Sequence, residues 1–387
     1  MTKVNKWTLG LAALGLVSIP ATVQAEEKPN QLLTALSSTT ISGYVDTSAH
    51  WTLGSGNANP PAYAFNLPSK QDGFNLNVVD IVIEKPLDEG TWSAGYKVDL
   101  LFGPNAVGWN SSANALTGID NEVAVKQAYV ALRAPIGNGL DLKIGTFDTI
   151  IGYEVFNSGS NPNYTRSWGY TMEPTQHTGL LGSYQINKVV GVSVGIANTW
   201  SAGINVRSAR SESDKTYMGA FTLTAPDSMG FLAGSTLSAG AVDGFAGIVG
   251  NDATSYYIGA TLATPWQQLK LGAAFDYVRA HDNSFGPTGH AEAAALYASV
   301  QATEKLSFHM RGEWAKITTA AALALPGLPQ EVIGLTSTIQ YDLWANVISR
   351  LEVRWDRVID GPSAFGGTVT PGKKDEVLIA ANIIYKF

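Results

Sequence analysis

The chain ends in the segment VLIAANIIYKF, residues 377–387, in which apolar side chains recur at every second position. One face of this segment carries Val377, Ile379, Ala381, Ile383, Tyr385 and Phe387. A period of two predicts a β-strand with one buried face. Chain termini ordinarily lie at a solvated surface, so a strand that ends on an aromatic residue needs a second sheet or a lipid bilayer to cover it.

The N-terminal residues favour the bilayer, because they have the three parts of a secretory signal peptide. Lys3 and Lys6 precede an apolar run over residues 7–19, and small residues follow up to Ala25. The run is shorter than the roughly 20 apolar residues that a transmembrane helix needs. We therefore expect cleavage after residue 25, which leaves a short periplasmic segment, residues 26–39, ahead of the folded domain.

Composition excludes several classes of protein. The chain has no cysteine, so neither a disulfide framework nor a thiolate site is available. The formal net charge of −7 becomes −9 when Lys3 and Lys6 leave with the signal peptide, and an acidic chain is a poor partner for nucleic acid. Forty glycines and 10% aromatic residues suit many strands joined by tight turns.

The connections between strand-like segments predict an all-β fold, a transmembrane antiparallel β-barrel of about 16 strands over residues 40–387. Short connections alternate with long ones, whereas a soluble sandwich has no reason to separate the two kinds so strictly. We expect the short turns to be periplasmic and the long loops to be extracellular. The predicted short turns are KPLDEG, APIGNG, INKV, APDSMG, TPWQQ, ATEK and YDLWAN, and the predicted long loops are residues 54–72, 103–120, 150–174, 201–214, 243–253, 282–290, 319–330 and 360–374.

The alternation also predicts which residues face lipid and which face the lumen. The rows through Val194 and Ile258 are uncharged, whereas the row through Arg311 and the row through Arg354 are charged. Charged and small side chains on the inner face favour a wet lumen over a packed core, because a buried unpaired charge costs several kcal/mol. Aromatic residues at strand ends are expected to form interfacial girdles: Trp51, Trp200, Trp266, Trp344 and Tyr385.

Residues 142–179 resemble the core signature of the OmpL-like β-barrel porin family. The similarity comprises a G-x-F-x-T-x-x-G-x-E segment, a polar loop with an arginine next to serine or threonine, and a P-x-x-H-x-G segment. The matching positions are Gly145, Phe147, Thr149, Gly152, Glu154, Arg166, Pro174, His177 and Gly179. The resemblance extends loosely to the C-terminus. It implies an outer-membrane channel whose terminal aromatic residue, Phe387, is read by the barrel assembly machinery.

The third long loop, residues 150–174, is the candidate pore constriction, with Glu154, Arg166 and Glu173 as its charged residues. Candidate residues of the lumen wall are His177, Arg311, Arg350 and Arg354. We expect these three arginines to face the two loop acids across the channel. Two alternatives stay open. In the first, Glu313, Glu352 and Asp356 neutralise the arginines in cross-strand pairs. In the second, Arg166 and His177 only tie the loop to the wall.

The sequence supports neither catalysis nor a metal site. The five histidines have no H-x-H or H-E-x-x-H spacing, and no G-x-S-x-G motif or phosphate-binding loop occurs. No cofactor is expected either.

The predicted function is passive diffusion of small hydrophilic solutes and ions through a bacterial outer-membrane porin. The alternatives are a substrate-selective channel for a sugar or peptide and a structural or adhesion barrel. The expected partners are outer-membrane lipids, the assembly machinery and the solutes. The oligomeric state stays open, and a homotrimer is one option.

Overall fold

A computed structural model describes residues 38–54, 56–89, 92–107, 109, 122–200, 203–208, 211–245, 252–281, 289–318 and 329–387. Sixteen antiparallel strands form one closed barrel in which every strand pairs with its neighbours in sequence. The strands are β1 (Thr40–Thr52), β2 (Gly73–Lys85), β3 (Ser93–Phe102), β4 (Val123–Ala134), β5 (Leu140–Asp148), β6 (Gln176–Gln185), β7 (Val190–Ala197), β8 (Thr216–Thr224), β9 (Thr236–Phe245), β10 (Asp252–Ala263), β11 (Leu269–His281), β12 (Gly289–Gln301), β13 (Leu306–Ile317), β14 (Glu331–Trp344), β15 (Val347–Asp360) and β16 (Asp375–Lys386). The predicted fold class and strand number are confirmed.

The C-terminal strand closes the barrel, which explains why the chain ends on an apolar segment. β16 pairs with β15 on one side and with β1 on the other, from Tyr44 opposite Lys386 to Thr52 opposite Leu378. Beyond the strand, the Phe387 backbone exchanges two hydrogen bonds of 3.0 Å with Gly43. Closure leaves no strand edge unpaired, as a sheet in lipid requires.

The strands have an apolar outer face and a mixed inner face. On β12, Leu296 is 68% exposed on the outside, whereas its neighbours Ala295 and Tyr297 are 6% and 4% exposed and point inward. The predicted lipid-facing residues Val194 and Ile258 are exposed on the outer face. No helix among the described residues is long and apolar enough to cross a membrane.

Four of the five predicted girdle aromatics are exposed on the outer surface: Trp51, Trp266, Trp344 and Tyr385. The prediction for Trp200 is wrong. Its indole Nε1 donates to Ser255 Oγ at 2.9 Å, and its ring packs against buried side chains of the lumen. Trp200 follows the end of β7, so the alternation of that strand no longer determines the direction of its side chain.

The connections alternate between the two ends of the barrel, but their lengths are less segregated than predicted. The fourth short connection runs over residues 225–235 and contains a 3₁₀ segment, Asp227–Leu232. The fifth and sixth long connections, residues 246–251 and 282–288, are shorter than that turn. β9, β10 and β12 extend further toward the long-loop end of the barrel than the pattern indicated. They include residues 243–245, 252–253 and 289–290, which were assigned to loops.

Among the described residues, the first and third long connections fold into the lumen. We name the connection over residues 53–72 loop L1 and the connection over residues 149–175 loop L3. Tyr63 of L1 packs edge-to-face on Trp168 of L3, with ring centroids 5.9 Å apart. The Ala64 amide donates to Thr171 Oγ1 at 2.9 Å. The two loops therefore fill one side of the barrel together.

Candidate pore and constriction loop

Loop L3 has short-range contacts that fix its path inside the barrel. Asn161 bridges the loop, because its Nδ2 donates to Val155 O and its Oδ1 accepts from Val155 N. A one-turn helix, α1 (Trp168–Met172), begins after Ser167, whose Oγ accepts from Tyr170 N at 3.1 Å. Asparagine and serine take these positions because their short side chains satisfy nearby backbone groups.

Two signature glycines allow close approaches, Gly145 between β5 and β4 and Gly152 within L3. Gly145 has φ +135°, and a Cβ there would lie 2.3 Å from Ala128 O. Gly152 has φ +118°, and a Cβ there would lie 2.3 Å from Glu173 Oε2. Only glycine adopts such backbone angles without strain. These two positions account physically for the glycines of the G-x-F-x-T-x-x-G-x-E segment.

Arg311 on β13 anchors the middle of L3. Its guanidinium lies 2.9 Å from Glu154 Oε1 of L3 and 2.9 Å from Glu313 Oε1 of its own strand. The same group donates to Thr165 O at 2.7 Å. A guanidinium has five donors, so one side chain can bind a carboxylate and backbone carbonyls together.

Arg354 on β15 also anchors L3, and it contacts L1 as well. It pairs with Asp356 at 2.7 Å and with Glu313 at 3.3 Å, and it donates to Arg166 O at 2.6 Å. Its guanidinium carbon lies 3.5 Å from the ring centre of Tyr63 in L1. Both inward loops are therefore held by the same arginine.

The wall carboxylates also bind the L3 backbone. Glu352 accepts from the backbone amides of Tyr164 at 2.6 Å and Thr165 at 3.0 Å. Glu313 accepts from Trp168 N at 2.6 Å. Hydrogen bonds to a charged acceptor are about twice as strong as neutral ones, and each satisfies a buried backbone donor. The pattern explains why acids alternate with arginines along these strands.

Arg350 and Arg166 are buried without a carboxylate at hydrogen-bond distance among the described residues. Arg350 donates to Ser158 O at 2.9 Å and to Asn161 O at 2.8 Å. Arg166 donates to Phe156 O at 2.7 Å, and its guanidinium lies 5.5 Å from the Phe65 ring centre. Both arginines therefore bind L3 backbone carbonyls.

His177 on β6 joins the base of L3 to the next loop. Its Nδ1 lies 3.3 Å from Thr199 O and its Nε2 lies 3.1 Å from Thr149 Oγ1. A carbonyl only accepts, so Nδ1 carries the proton and Nε2 accepts from the threonine hydroxyl. With both nitrogens engaged, His177 has the geometry of a tie between loops.

Two water-accessible cavities lie on the opposite side of the lumen. The inner cavity, of about 650 Å³, lies along β3 to β8 toward the short-turn end, and its lining includes Arg133 and Lys143. The outer cavity, of about 190 Å³, lies beside L3 and is lined by Glu154 and Glu173 among others. Asp148, Thr149 and Ile150 line both cavities. We call these three residues the neck.

The predicted site residues therefore divide into two groups. Glu154 and Glu173 line the outer cavity, whereas Arg166, His177 and the three wall arginines line neither cavity. The expectation that Glu154 faces the arginines across the channel is wrong, because its carboxylate is in direct contact with Arg311. The neutralisation that was left open holds only in part: Glu313 pairs with Arg311 and Arg354, and Asp356 pairs with Arg354. The Arg311–Glu313 and Arg354–Asp356 pairs lie within one strand and not across neighbouring strands. Glu352 pairs with no arginine and instead accepts from Thr338 Oγ1 and from L3 amides.

Glu173 lies at the end of L3, where it meets another acid. Its carboxyl group is hydrogen-bonded to that of Asp276 on β11. Burial raises the pKa of Glu173 well above its ordinary value, and the neighbouring Asp276 and Glu154 raise it further. A hydrogen bond between two carboxyl groups needs one shared proton.

The neck and its neighbours carry little signal in the sequence. Asp148 stands inside the signature at a variable position, and Lys126 belongs to the segment VKQAYVALRAP that precedes it. Lys143 alternates with Asp141 along β5, a spacing that places both on one face. The described residues contain no group of acids and histidines that could hold a metal ion.

The comparisons with known proteins agree with this architecture. Residues 38–387 match the family model described as "Putative beta-barrel porin-2, OmpL-like". A search of curated protein sequences returns no match.

Solved structures with a similar fold include an anion-selective porin from Comamonas acidovorans, which is 13% identical with a TM-score of 0.58 over 90% of this chain and 99% of the other. The outer-membrane channel DcaP of Acinetobacter baumannii is 12% identical, with a TM-score of 0.57 over 90% and 97%. OmpT of Vibrio cholerae is 10% identical, with a TM-score of 0.56 over 90% and 97%. At these identities the likeness shows the fold alone.

Because the family model covers all 16 strands, the chain belongs to the OmpL-like β-barrel porin family of the bacterial outer membrane.

Proposed function

We propose that the chain is a passive diffusion channel for small hydrophilic solutes and ions, exported through cleavage of residues 1–25. The observation that carries the proposal is the pair of cavities that meet at the neck inside a closed barrel. Solutes would move down their concentration gradient, with the width of the neck as the size limit. No covalent chemistry is needed, so no enzymatic role is proposed.

In this proposal L3 acts as the constriction loop, with Glu154, Arg166 and Glu173 as its charged residues. A loop that sets a pore radius must be held in place, and Arg311, Arg350 and Arg354 hold L3 through its carbonyls and through Glu154. His177 holds its base. These residues would act by keeping the open side of the lumen at a fixed width.

A substrate-selective channel is the second candidate. Tyr129 and Tyr184 line the inner cavity, and aromatic rings there could bind the apolar face of a sugar. An adhesion barrel with a filled lumen is less well supported, because the described residues leave two cavities beside L3.

The partners follow from the barrel surface and from the relatives. The apolar outer face would bind outer-membrane lipids, and Phe387 would be read by the assembly machinery. One of the similar structures is described as the trimer form of OmpT of Vibrio cholerae, which supports a homotrimer for this chain.

Conductance measurements test the proposal. Folded protein in planar bilayers should give ohmic single-channel steps, and proteoliposomes should swell in small sugars but not in large ones. Block of the current by one particular sugar or peptide would favour the second candidate. Folded protein without conductance would rule out both.

A further inference from the structure

The neck contains one charged residue, and it lies where both cavities meet. Of Asp148, Thr149 and Ile150, only Asp148 carries a charge. Any ion that passes between the two cavities must pass this side chain. The charge on Asp148 and on its immediate partners therefore determines the field at the neck.

Asp148 belongs to a cluster with more negative than positive charge. Lys126 Nζ lies 2.5 Å from Asp148 Oδ2 and 3.3 Å from Asp99 Oδ2. One ammonium thus stands between two carboxylates. The side chains of Lys126 and Asp99 are 6% and 4% exposed, whereas that of Asp148 is 41% exposed. Lys126, which is positive, is therefore buried, whereas Asp148, which is negative, is exposed.

The described lining of the outer cavity contains acidic residues and no basic residues. Its charged lining residues are Asp148, Glu154 and Glu173, and no lysine or arginine occurs among the described residues that line it. Glu154 is paired with Arg311, and burial favours the protonated, neutral form of Glu173, so neither side chain presents a free charge to the cavity. Asp148 is therefore the main source of field at this end.

In the inner cavity, by contrast, the charge without an ion-pair partner among the described residues is positive. Arg133 and Asp141 neutralise each other through two hydrogen bonds of 2.6 Å. Lys97 lies 3.7 Å from Glu84. Lys143 instead stacks over the Tyr129 ring, 4.8 Å from its centre, and forms no ion pair with a described carboxylate. Lys143 thus opposes Asp148 from the inner side.

We propose that Asp148, and not the charged residues of L3, is the residue that sets ion selectivity, and that it makes the neck prefer cations and solutes with a positively charged group. The positive charge of Lys143 partly cancels the field of Asp148 and so limits this preference. The inference rests on the proposed channel function and adds its solute class. It does not require L3 to move.

The test is the zero-current potential under a tenfold KCl gradient for wild type, Asp148→Asn and the control Asp227→Asn. Asp227 is exposed in the β8–β9 turn and does not line either cavity. The asparagine at 148 retains an acceptor for Lys126. We expect Asp148→Asn to lower the cation-to-anion permeability ratio by about threefold or more, as removal of a unit charge a few Å from the ion path would do in water.

Further variants complete the test. Asp148→Glu should retain the wild-type ratio, and Lys143→Gln should raise it. The effect of Asp148→Asn should shrink in 1 M salt, where the Debye length is about 3 Å. If the channel conducts but Asp148→Asn shifts the ratio no more than Asp227→Asn does, the selectivity assignment fails while the channel function stands. If folded wild type does not conduct, both fail.

Discussion

Arg311 Nη1 on β13 lies 2.9 Å from Glu154 Oε1 on L3, and both side chains are at most 1% exposed. The pair joins the barrel wall to the loop that narrows it. Two charges buried so completely have lost their hydration, and they are compensated by each other, by Glu313 at 2.9 Å from Arg311, and by surrounding hydrogen bonds. The attachment of L3 is therefore a specific arrangement that single substitutions can break.

Replacing Arg311 by glutamine should loosen L3. Loss of one partner of a buried ion pair costs about 3–5 kcal/mol, because the other charge is left without compensation. We expect a lower temperature for loss of the heat-modifiable folded band on electrophoresis and a noisier open-channel current.

The matched control is Arg357→Gln on β15. Arg357 pairs with Asp375 at 3.0 Å, but the two side chains are 50% and 46% exposed. An exposed pair contributes about 0–1 kcal/mol, so this variant should behave like wild type. Equal effects of the two substitutions would contradict the anchoring role of Arg311.

The strands could be predicted from the sequence because alternation is a local property. Arg311, Arg350 and Arg354 were placed on the correct face in this way. Their partners on L3 could not be predicted, since Arg311 and Glu154 are 157 residues apart and Glu154 lies in a loop. A period of two gives the direction of a side chain and says nothing about what fills the space opposite it.

The parts that sequence analysis missed lie where the alternation stops. Trp200 turns inward beyond the last residue of β7, and Tyr63 enters the lumen on a loop without any period. Asp148 is the last residue of β5. The neck is formed at this transition from strand to loop.

Deleting Phe387 should impair barrel assembly. The residue exchanges two backbone hydrogen bonds with Gly43, and unpaired backbone groups in lipid cost several kcal/mol each. We expect normal export but less heat-modifiable protein in the outer membrane. Phe387→Tyr, which retains the backbone and an aromatic ring, should assemble normally. Full assembly of the truncated chain would refute a role for the terminal residue.

Sidedness can be measured with inserted protease sites. Val369 is 83% exposed in the β15–β16 connection, and Lys188 is exposed in the tight β6–β7 turn. A site inserted after Val369 should be cut on intact cells, whereas one after Lys188 should be cut only after permeabilisation. The reverse pattern would invert the proposed orientation, provided both variants remain heat-modifiable.

The contact between Glu173 and β11 should weaken as pH rises. The folded-state pKa of Glu173 is raised above its ordinary value of 4.5 by burial, and Asp276 and Glu154 face it with further negative charge. A group with a raised folded-state pKa contributes its stability below the unfolded pKa and loses it as pH rises through the folded value. The free energy of unfolding of the wild type should therefore decline as pH rises from 4.5 through the raised pKa of Glu173.

Glu173→Gln removes this titration while its amide can still donate to Asp276. We expect the unfolding temperature of this variant to exceed that of the wild type by an amount that grows with pH above 4.5. Glu304→Gln, in the exposed β12–β13 turn, is the control and should follow the wild type at every pH. A difference between Glu173→Gln and wild type that stays constant with pH would show that Glu173 does not retain its proton in the folded barrel.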